Sequence, residues 1–447
     1  MVIPGGSYRR GPPPYLTIGL IAANTAVYVY TSYQNYFLES SAGSIYSLGF
    51  TPYLLFSSPL QGVARVFTAM FTHADILHIF FNMYFLYLFG YSVENYLGRL
   101  RYLLVYFASG VVASLFHPAF SSVSDWGLLM TPAVGASGAI SGVLGAYLIL
   151  FPNTKMSMCT ILVILPVCFP VASYVFMILW FALQVVYGYF TATTIATFAH
   201  VGGFLTGILG TWLIARRLTK QYQQTTGMSL ADILGSLGII LRGRRGLGRV
   251  AKGVLVALIL AVVAGYLYGA LGSVLAGPQT YVLSVSADGV GDQVLMVLQG
   301  GGVYVTTSQV DEVRVLINRL QDTFFYDPSS ANNTRVVQES YITQVSGVSV
   351  PVELRAEVTY GYGGVLENAT GVMLSRVVNV NPYTGVGRLG PSIQISFNIS
   401  AAEVDWAVGV LALDVLAVVV SSATVVAVLR ADEASAIGEE LELLPFA

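Results

Sequence analysis

Long apolar runs alternate with short polar segments along most of the chain. Eight runs approach the ~20 residues needed to cross a bilayer. They lie at about 15–33, 76–93, 101–119, 137–151, 169–189, 198–215, 251–274 and 405–429. The stretch from Met158 to Phe190 is too long for one span, and Pro166 and Pro170 interrupt it. We expect its first part to be interfacial or the bent start of a helix.

Residues 277–403, between the last two spans, are polar enough to form a separate domain. Alternating apolar and polar positions predict strands at 281–285 and 392–397. Between Ser308 and Phe325 the apolar spacing predicts one amphipathic helix with Ser308 as its N-cap. The pattern as a whole predicts an all-α polytopic membrane protein, with a six-helix core and two extra spans, that carries an inserted α+β domain.

Composition supports this class of protein. The chain has 447 residues, of which 55% are hydrophobic and 10% charged, whereas soluble domains carry about 25% charged residues. The formal net charge is −2 and no basic block suggests nucleic acid, so no nucleic-acid partner is expected. Cys159 and Cys168 lie in an apolar stretch, and we do not expect a disulfide framework.

The basic residues predict how the chain crosses the membrane. With the N terminus inside, the basic residues that flank the spans lie on the cytoplasmic side, and the short outside loops carry only Arg65. The cytoplasmic set comprises Arg9, Arg10, Arg99, Arg101, Lys155, Arg216, Arg217, Lys220, Arg242, Arg244, Arg245, Arg249, Lys252 and Arg430. We therefore expect a multi-pass protein of the cell membrane with both termini in the cytoplasm and residues 277–403 outside.

This orientation divides the chain into segments. They are a cytoplasmic N terminus (1–14), a six-span core (15–215), a basic cytoplasmic linker (216–250), a seventh span (251–274), the extracytoplasmic domain (277–403), an eighth span (405–429) and an acidic cytoplasmic tail (430–447). Three sequons begin at Asn332, Asn368 and Asn398. They agree with an outside location if the host glycosylates, and coincidence is an equal alternative.

Two polar residues, Ser137 and His200, stand at the outer starts of apolar spans. Each is accompanied by regularly spaced glycines, which are Gly135, Gly138, Gly142 and Gly145 for the serine and Gly203, Gly207 and Gly210 for the histidine. Such small-residue faces let two helices approach closely, and both spans run inward, so Ser137 and His200 would lie at one depth. The free N–H groups at a helix start suit a developing oxyanion. Together these features indicate serine hydrolysis inside a membrane, although ordinary packing would explain either residue alone.

Three further histidines accompany this pair. His78 and Asn82 lie four residues apart on one helix face, and both can donate hydrogen bonds. They should face the bundle interior or a water pocket, and a structural link between helices is the alternative reading. His73 and His78 are poorly spaced for two metal ligands on one helix face, so no metal and no cofactor are expected. His117, at the end of the third span, is interpreted as an interfacial residue without a role.

Taken in order, these residues resemble the rhomboid family of intramembrane serine proteases over about residues 15–215. The matching pieces are Arg65, then His73, His78 and Asn82, then Gly90-x-x-x-Glu94-x-x-x-Gly98, Gly135-x-Ser137-Gly138 and Ala199-His200-x-x-Gly203-x-x-x-Gly207. Two positions depart from the family pattern. Ala64 replaces a tryptophan before the loop arginine, and Ser141 replaces an aromatic residue one turn after the serine.

The resemblance implies roles for these residues. Ser137 would be the nucleophile and His200 the general base, while His78, Asn82 and the Ser137 backbone N–H would form the oxyanion hole. The site would be supported by Gly135, Gly138, Gly203, Gly207, Glu94 and Arg65. A single-span membrane protein would enter from the bilayer as substrate and be cut near the outer face. The role of the outer domain is not predicted.

Two other functions compete with this reading. A catalytically silent rhomboid-like protein would bind membrane helices for quality control, but it should lack the serine or the histidine. A transporter would show internal repeats and ionisable residues at mid-membrane. The sequence shows no repeat, and apart from the candidate catalytic residues it has almost no charged residues in the middle of the spans.

Overall fold

The structure is a computed structural model. It describes residues 2–5, 12–120, 126–162, 165–190, 196–226, 246–276, 279–299, 302–306, 308, 310–345, 347–380, 387–404 and 407–432. Arg9, Arg10, residues 227–245 of the basic linker and residues 433–447 of the acidic tail lie outside these ranges. The chain divides into two compact units, Met1–Val274 with Val410–Ala447 and Leu275–Gly409.

The helices follow the apolar runs of the sequence. In chain order they are α1 (Tyr15–Ser32), α2 (Ala42–Leu48), α3 (Leu54–Ser57), α4 (Pro59–Ala69), α5 (Ile76–Leu97), α6 (Arg99–Ala119), α7 (Ser137–Leu150), α8 (Ser173–Phe190), α9 (Thr197–Thr226), α10 (Arg249–Ala276), α11 (Asp311–Ile317), α12 (Asp322–Phe325) and α13 (Ala407–Leu429). Each predicted span overlaps one of the long helices or α7. Short 3-10 helices lie at Tyr33–Asn35, Trp126–Leu129, Pro328–Ser330 and Tyr362–Gly364.

Within the described residues, α5, α6, α8, α10, α13 and the Thr197–Arg217 part of α9 are long and apolar enough to cross a membrane, and α7 is a shorter apolar helix. The chain is therefore a polytopic integral membrane protein. The strands are β1 (Val2–Gly5), β2 (Lys155–Leu162), β3 (Leu165–Ala172), β4 (Gln279–Ala287), β5 (Val290–Gln299), β6 (Gly302–Val305), β7 (Thr334–Val345), β8 (Val348–Tyr360), β9 (Leu366–Val380) and β10 (Gly387–Glu403).

Helices α6, α7 and α9 form the tightly packed centre of the first unit. All of α7 after its first residue is buried. A Cβ atom on Gly203 would collide with the carbonyl oxygen of Gly138, and one on Gly207 with that of Gly142. The backbones of α7 and α9 are thus in direct contact, an approach that only glycine permits.

The other long helices surround this centre and are held partly by polar contacts. Glu94 near the end of α5 accepts hydrogen bonds from the first turn of α1. The hydroxyl of Tyr266 in α10 donates to the Phe116 carbonyl in α6 at 3.0 Å, and Thr424 in α13 donates to the Leu205 carbonyl in α9 at 3.3 Å. Asp414, in the same helix α13, is fully buried in the bundle.

A small sheet corrects two expectations about the segment after α7. Strands β1, β2 and β3 form an antiparallel sheet in that order, so the core is not purely helical and the stretch before α8 is a hairpin. Pro166 and Pro170 are tolerated because β3 is an edge strand, where a missing N–H costs no ladder bond. The hairpin places Cys159 directly opposite Cys168, and the two form a disulfide. The expectation that no disulfide would form here was wrong, because the hairpin was not predicted from the sequence.

The second unit is a sheet-rich domain. Seven antiparallel strands lie in the order β6-β5-β4-β10-β9-β8-β7, and both predicted strands are confirmed within β4 and β10. The prediction of one helix between Ser308 and Phe325 was wrong, because the structure has two separate helices, α11 and α12. Helix α11 begins at Asp311 and has acidic residues in its first turn, where they interact favourably with the helix dipole. Ser308 instead donates to the carboxylate of Asp292.

Candidate active site

Ser137 is presented by a sharply turned loop at the start of α7. Gly135 has φ +120°, a conformation that favours glycine, and its N–H donates to the Ala69 carbonyl at 2.9 Å. The next N–H, that of Ala136, donates to His73 Nε2 at 3.4 Å. These bonds fix the turn, so that the serine stands at a helix N-terminus whose first N–H groups have no intrahelical acceptor.

His200 meets Ser137 across the glycine-lined contact between α7 and α9. Its Nε2 atom lies 2.8 Å from Ser137 Oγ, at hydrogen-bond distance. Both side chains are half-buried, so they remain open to a reacting molecule. The structure therefore brings the two residues together at one depth, as the matching glycine faces predicted.

The other ring nitrogen of His200 has a partner that the sequence did not indicate. Gln184 Oε1, in α8, lies 2.9 Å from His200 Nδ1. Trp180, one turn earlier on α8, has its ring centre 6.1 Å from that of His200. No fixed spacing along the chain links residue 184 to residue 200. A polar residue inside an otherwise apolar predicted span was the available signal.

His78 lies close to the serine. A Cβ atom added to Gly135 would lie 2.7 Å from His78 Nε2 and 3.7 Å from Ser137 Oγ. Both polar atoms therefore border the same small space beside Gly135. The His78 Nδ1 atom accepts a hydrogen bond from the Ala74 N–H at 3.4 Å, which leaves Nε2 as the protonated, donating nitrogen. This donor is therefore placed where an oxyanion formed at Ser137 could receive it.

Asn82 shares the inner face of α5 but is engaged with its own helix. Its Nδ2 atom donates to the His78 carbonyl at 2.8 Å, and the residue is buried. An amide nitrogen carries two hydrogens, so one remains to be directed toward a ligand. Asn82 therefore lies beside the site, one helical turn from His78, and its described hydrogen bond is to its own helix rather than to the serine.

His73 supports the serine loop from outside the span. Burial, followed by the nearby His78, lowers the pKa of His73 from 6.5 to about 3. The ring is therefore neutral near pH 7, as it must be to accept the Ala136 N–H. His73 and His78 also pack edge to face, with ring centres 5.1 Å apart.

A small cavity of about 50 Å³ borders the serine. Its lining includes Met70, Ser114 and His117 from beside the site. His117 is buried near the end of α6, because this helix packs against α7 and α9. Its interpretation as an interfacial residue without a role stays a prediction.

Arg65 and Glu94 lie away from the serine and stabilise neighbouring elements. Arg65, in α4, donates to the Tyr46 carbonyl of α2 at 3.1 Å and so joins two helices of the first connection. Glu94 holds α1 against α5. Both residues therefore support the bundle without touching Ser137 or His200.

Fold and site together define a polytopic membrane protein with a hydrogen-bonded serine and histidine inside its helical bundle. Residues 60–217 match the family model of the rhomboid domain. This match, with the relatives below, shows that residues 60–217 form a rhomboid domain.

Three relatives illustrate the similarity. RHOMBOID-like protein 6, mitochondrial, of Arabidopsis thaliana is 33% identical over 39% of this chain and 50% of its own. Rhomboid protein 1, mitochondrial, of Saccharomyces cerevisiae is 31% identical over 34% of this chain and 42% of its own. Rhomboid protease GluP of Bacillus subtilis is 39% identical over 22% of this chain and 18% of its own. The chain thus spans half or less of the length of these relatives.

Proposed function

We propose that the chain is an intramembrane serine endopeptidase that cuts single-span membrane proteins. The observation that carries this proposal is the 2.8 Å contact between Ser137 Oγ and His200 Nε2 within a membrane-spanning bundle. The name of the relative GluP supports it, since that protein is a rhomboid protease. We propose Ser137 and His200 as the catalytic residues.

The proposed reaction is acyl transfer to water. His200 Nε2 takes the proton of Ser137 Oγ while Oγ bonds to the carbonyl carbon of the substrate. Collapse of the tetrahedral intermediate breaks the C–N bond, and His200 returns the proton to the leaving amine. Water then attacks the acyl-enzyme with His200 as base, which releases the carboxylic acid and restores Ser137.

The tetrahedral oxyanion needs donors that are already in place. We assign this role to the Ser137 backbone N–H, His78 Nε2 and Asn82 Nδ2. The first stands at a helix N-terminus, and the second lies by the same small space as Ser137 Oγ. Asn82 would supply its second amide hydrogen while the first stays on the His78 carbonyl.

The proposed orientation puts both termini and the basic linker in the cytoplasm. Ser137 and the sheet-rich domain then lie on the outer side, because α9 runs inward from the serine side and α10 returns. Helix α7 has 14 residues and is about 21 Å long, which is shorter than the ~30 Å hydrocarbon layer. The serine can thus lie below the outer membrane surface. Two of the relatives are named as mitochondrial, so we propose this orientation without assigning the chain to a particular membrane.

Cleavage of a single-span reporter in proteoliposomes tests the function. Ser137→Ala and His200→Ala should each lower cleavage by at least about a thousand-fold. Ser141→Ala, one turn further along α7, is the matched control and should still cleave. Undiminished cleavage by either of the first two variants would refute the assignment.

Labelling with a fluorophosphonate probe separates an enzyme from a catalytically silent relative. Wild type and Ser141→Ala should label, and Ser137→Ala should not. A wild-type protein that binds membrane helices but neither cleaves nor labels would support the silent alternative and overturn the proposal.

A further inference from the structure

The environment of His200 contains an acceptor whose role the proposed function does not use. Gln184 lies in α8, where its neighbours Leu183 and Val186 are exposed on the outer surface of the bundle. Its own side chain is directed inward, with Oε1 at 2.9 Å from His200 Nδ1. The chain Gln184–His200–Ser137 is therefore a continuous line of two hydrogen bonds, contributed by three different helices.

The orientation of this amide decides which tautomer of His200 is present. When Oε1 faces the ring, Nδ1 must carry the hydrogen, and Nε2 then presents a lone pair to the Ser137 hydroxyl. If the amide nitrogen faced the ring instead, Nδ1 would accept and Nε2 would carry the hydrogen. Only the first arrangement lets His200 take a proton from Ser137.

Other neighbours of the ring restrict its tilt but do not select a tautomer. The Trp180 ring is inclined at 36° to His200 and also meets Phe204, with 5.7 Å between ring centres. Ser141 donates to the Ser137 carbonyl at 2.7 Å, so its hydroxyl is engaged with its own helix. Gln184 is thus the described side chain that bonds to Nδ1.

We propose that Gln184 is a positioning residue that holds His200 in the tautomer able to accept the Ser137 proton. This inference rests on the proposed protease function. A neutral amide suits this place because an uncompensated carboxylate within a membrane-spanning segment is costly, while its oxygen dipole still accepts Nδ1–H in both charge states of the ring. The role is analogous to that of the third group in a serine–histidine–acid arrangement, without its charge.

The decisive variants change the acceptor and little else. Gln184→Leu removes the acceptor at similar volume, whereas Gln184→Glu restores a side-chain oxygen at the same reach. Leu183→Ala, at the neighbouring exposed position of α8, is the matched control for loss of bulk on this helix. All would be compared as full-length protein in proteoliposomes, after melting curves confirm that each is folded.

Gln184→Leu should lower kcat for the reporter by about ten-fold to a thousand-fold, with KM changed less than about two-fold. This loss is smaller than the ~10⁴-fold loss that follows removal of a charged orienting group. Gln184→Glu should recover at least about ten-fold of it, and Leu183→Ala should keep wild-type kcat. An unchanged kcat in Gln184→Leu, or a change in KM alone, would overturn the proposal.

A spectroscopic measurement tests the same idea without activity. Nitrogen-15 NMR of labelled His200 in the inactive Ser137→Ala background should show hydrogen on Nδ1, and Gln184→Leu should shift the population toward hydrogen on Nε2. An identical tautomer ratio with and without Gln184 would overturn the inference even if the protein proves to be a protease. Failure of wild type to cleave or label would instead refute the proposed function, while the NMR result still decides the role of Gln184.

Discussion

The bundle holds its helices in two different ways. Between α7 and α9 the backbones touch, because Gly203 and Gly207 lie against carbonyl oxygens of α7. Helices α1 and α8 lie at the edge of the bundle, and most of their side chains are exposed or half-buried. In α8, four of the 18 residues are buried, namely Ser173, Met177, Phe181 and Val185. Each edge helix has a polar connection to a neighbouring helix, from α1 to α5 through Glu94 and from α8 to α9 through Gln184.

This difference separates two requirements of the proposed chemistry. Ser137 and His200 stand on the two helices whose separation is fixed by backbone contact, so their 2.8 Å distance does not depend on long side chains. The acceptor for His200 stands on an edge helix, where a small movement would change its hydrogen bond without disturbing the pair. The tight contact fixes where Ser137 and His200 lie, and in the proposed mechanism the edge helix sets the tautomer of His200.

The largest expected effect follows from adding one methyl group to the tight contact. Gly207→Ala puts a Cβ atom into the carbonyl of Gly142, so α7 and α9 must separate, at a cost of about 3 kcal/mol. We expect a lower melting temperature and loss of reporter cleavage. Gly210→Ala, one turn further along α9, adds the same methyl where the nearest atom is 4.0 Å away, and it should change stability by less than about 1 kcal/mol. Equal melting temperatures for the two variants would contradict the importance of this contact.

The next effect concerns the polar connection of α1. Glu94 is buried and accepts hydrogen bonds from the N–H groups of Leu16 and Thr17 and from the Thr17 hydroxyl. It thereby acts as the N-terminal cap of α1 from a different helix. Glu94→Ala leaves the two N–H groups unpaired, while the Thr17 hydroxyl keeps Tyr102 Oη as an acceptor at 3.0 Å. The change should cost about 2 kcal/mol, with faster hydrogen exchange of the Leu16 and Thr17 amides.

Glu94→Gln is the matched control for that experiment. It keeps one accepting oxygen at the same position, so it should lie between wild type and Glu94→Ala in both melting temperature and exchange rate. If the amide exchange rates of Leu16 and Thr17 are the same in all three proteins, α1 is held by its apolar side chains alone.

The sequence was most informative where spacing along one helix carries the structure. Glycines four residues apart predicted the faces that bring Ser137 beside His200, and apolar runs predicted where the long helices lie. Contacts between distant segments were missed. Gln184 meets His200 through helix packing, and Cys159 meets Cys168 because a hairpin forms in a stretch that also fits a membrane span.

A pH effect of intermediate size is expected at the loop that enters α7. The pKa of His73 is about 3 in the folded protein against 6.5 when unperturbed, so the unfolded chain binds the proton more strongly. The stability contributed by neutral His73 is complete above pH 6.5 and is lost as the pH falls from there toward 3. One such group contributes a slope of at most about 1.4 kcal/mol per pH unit.

Comparison with His73→Gln isolates this contribution from that of the other histidines. The glutamine oxygen can still accept the Ala136 N–H but does not titrate in this range. Melting temperatures measured from pH 7 to pH 4 should fall less steeply for the variant. Parallel curves for the two proteins would show that His73 is not the group responsible.

The smallest expected effect is at Ser141. It tests whether His200 is oriented from the tight α7–α9 contact or from the edge helix α8. The Ser141 hydroxyl bonds to the Ser137 carbonyl within α7, a bond to its own helix whose net contribution is about 1 kcal/mol or less. Since His200 is held by Gln184 from the edge helix, Ser141→Ala should leave kcat within about two-fold of wild type. A loss of kcat as large as that in Gln184→Leu would mean that the tight helix, and not the edge helix, orients His200.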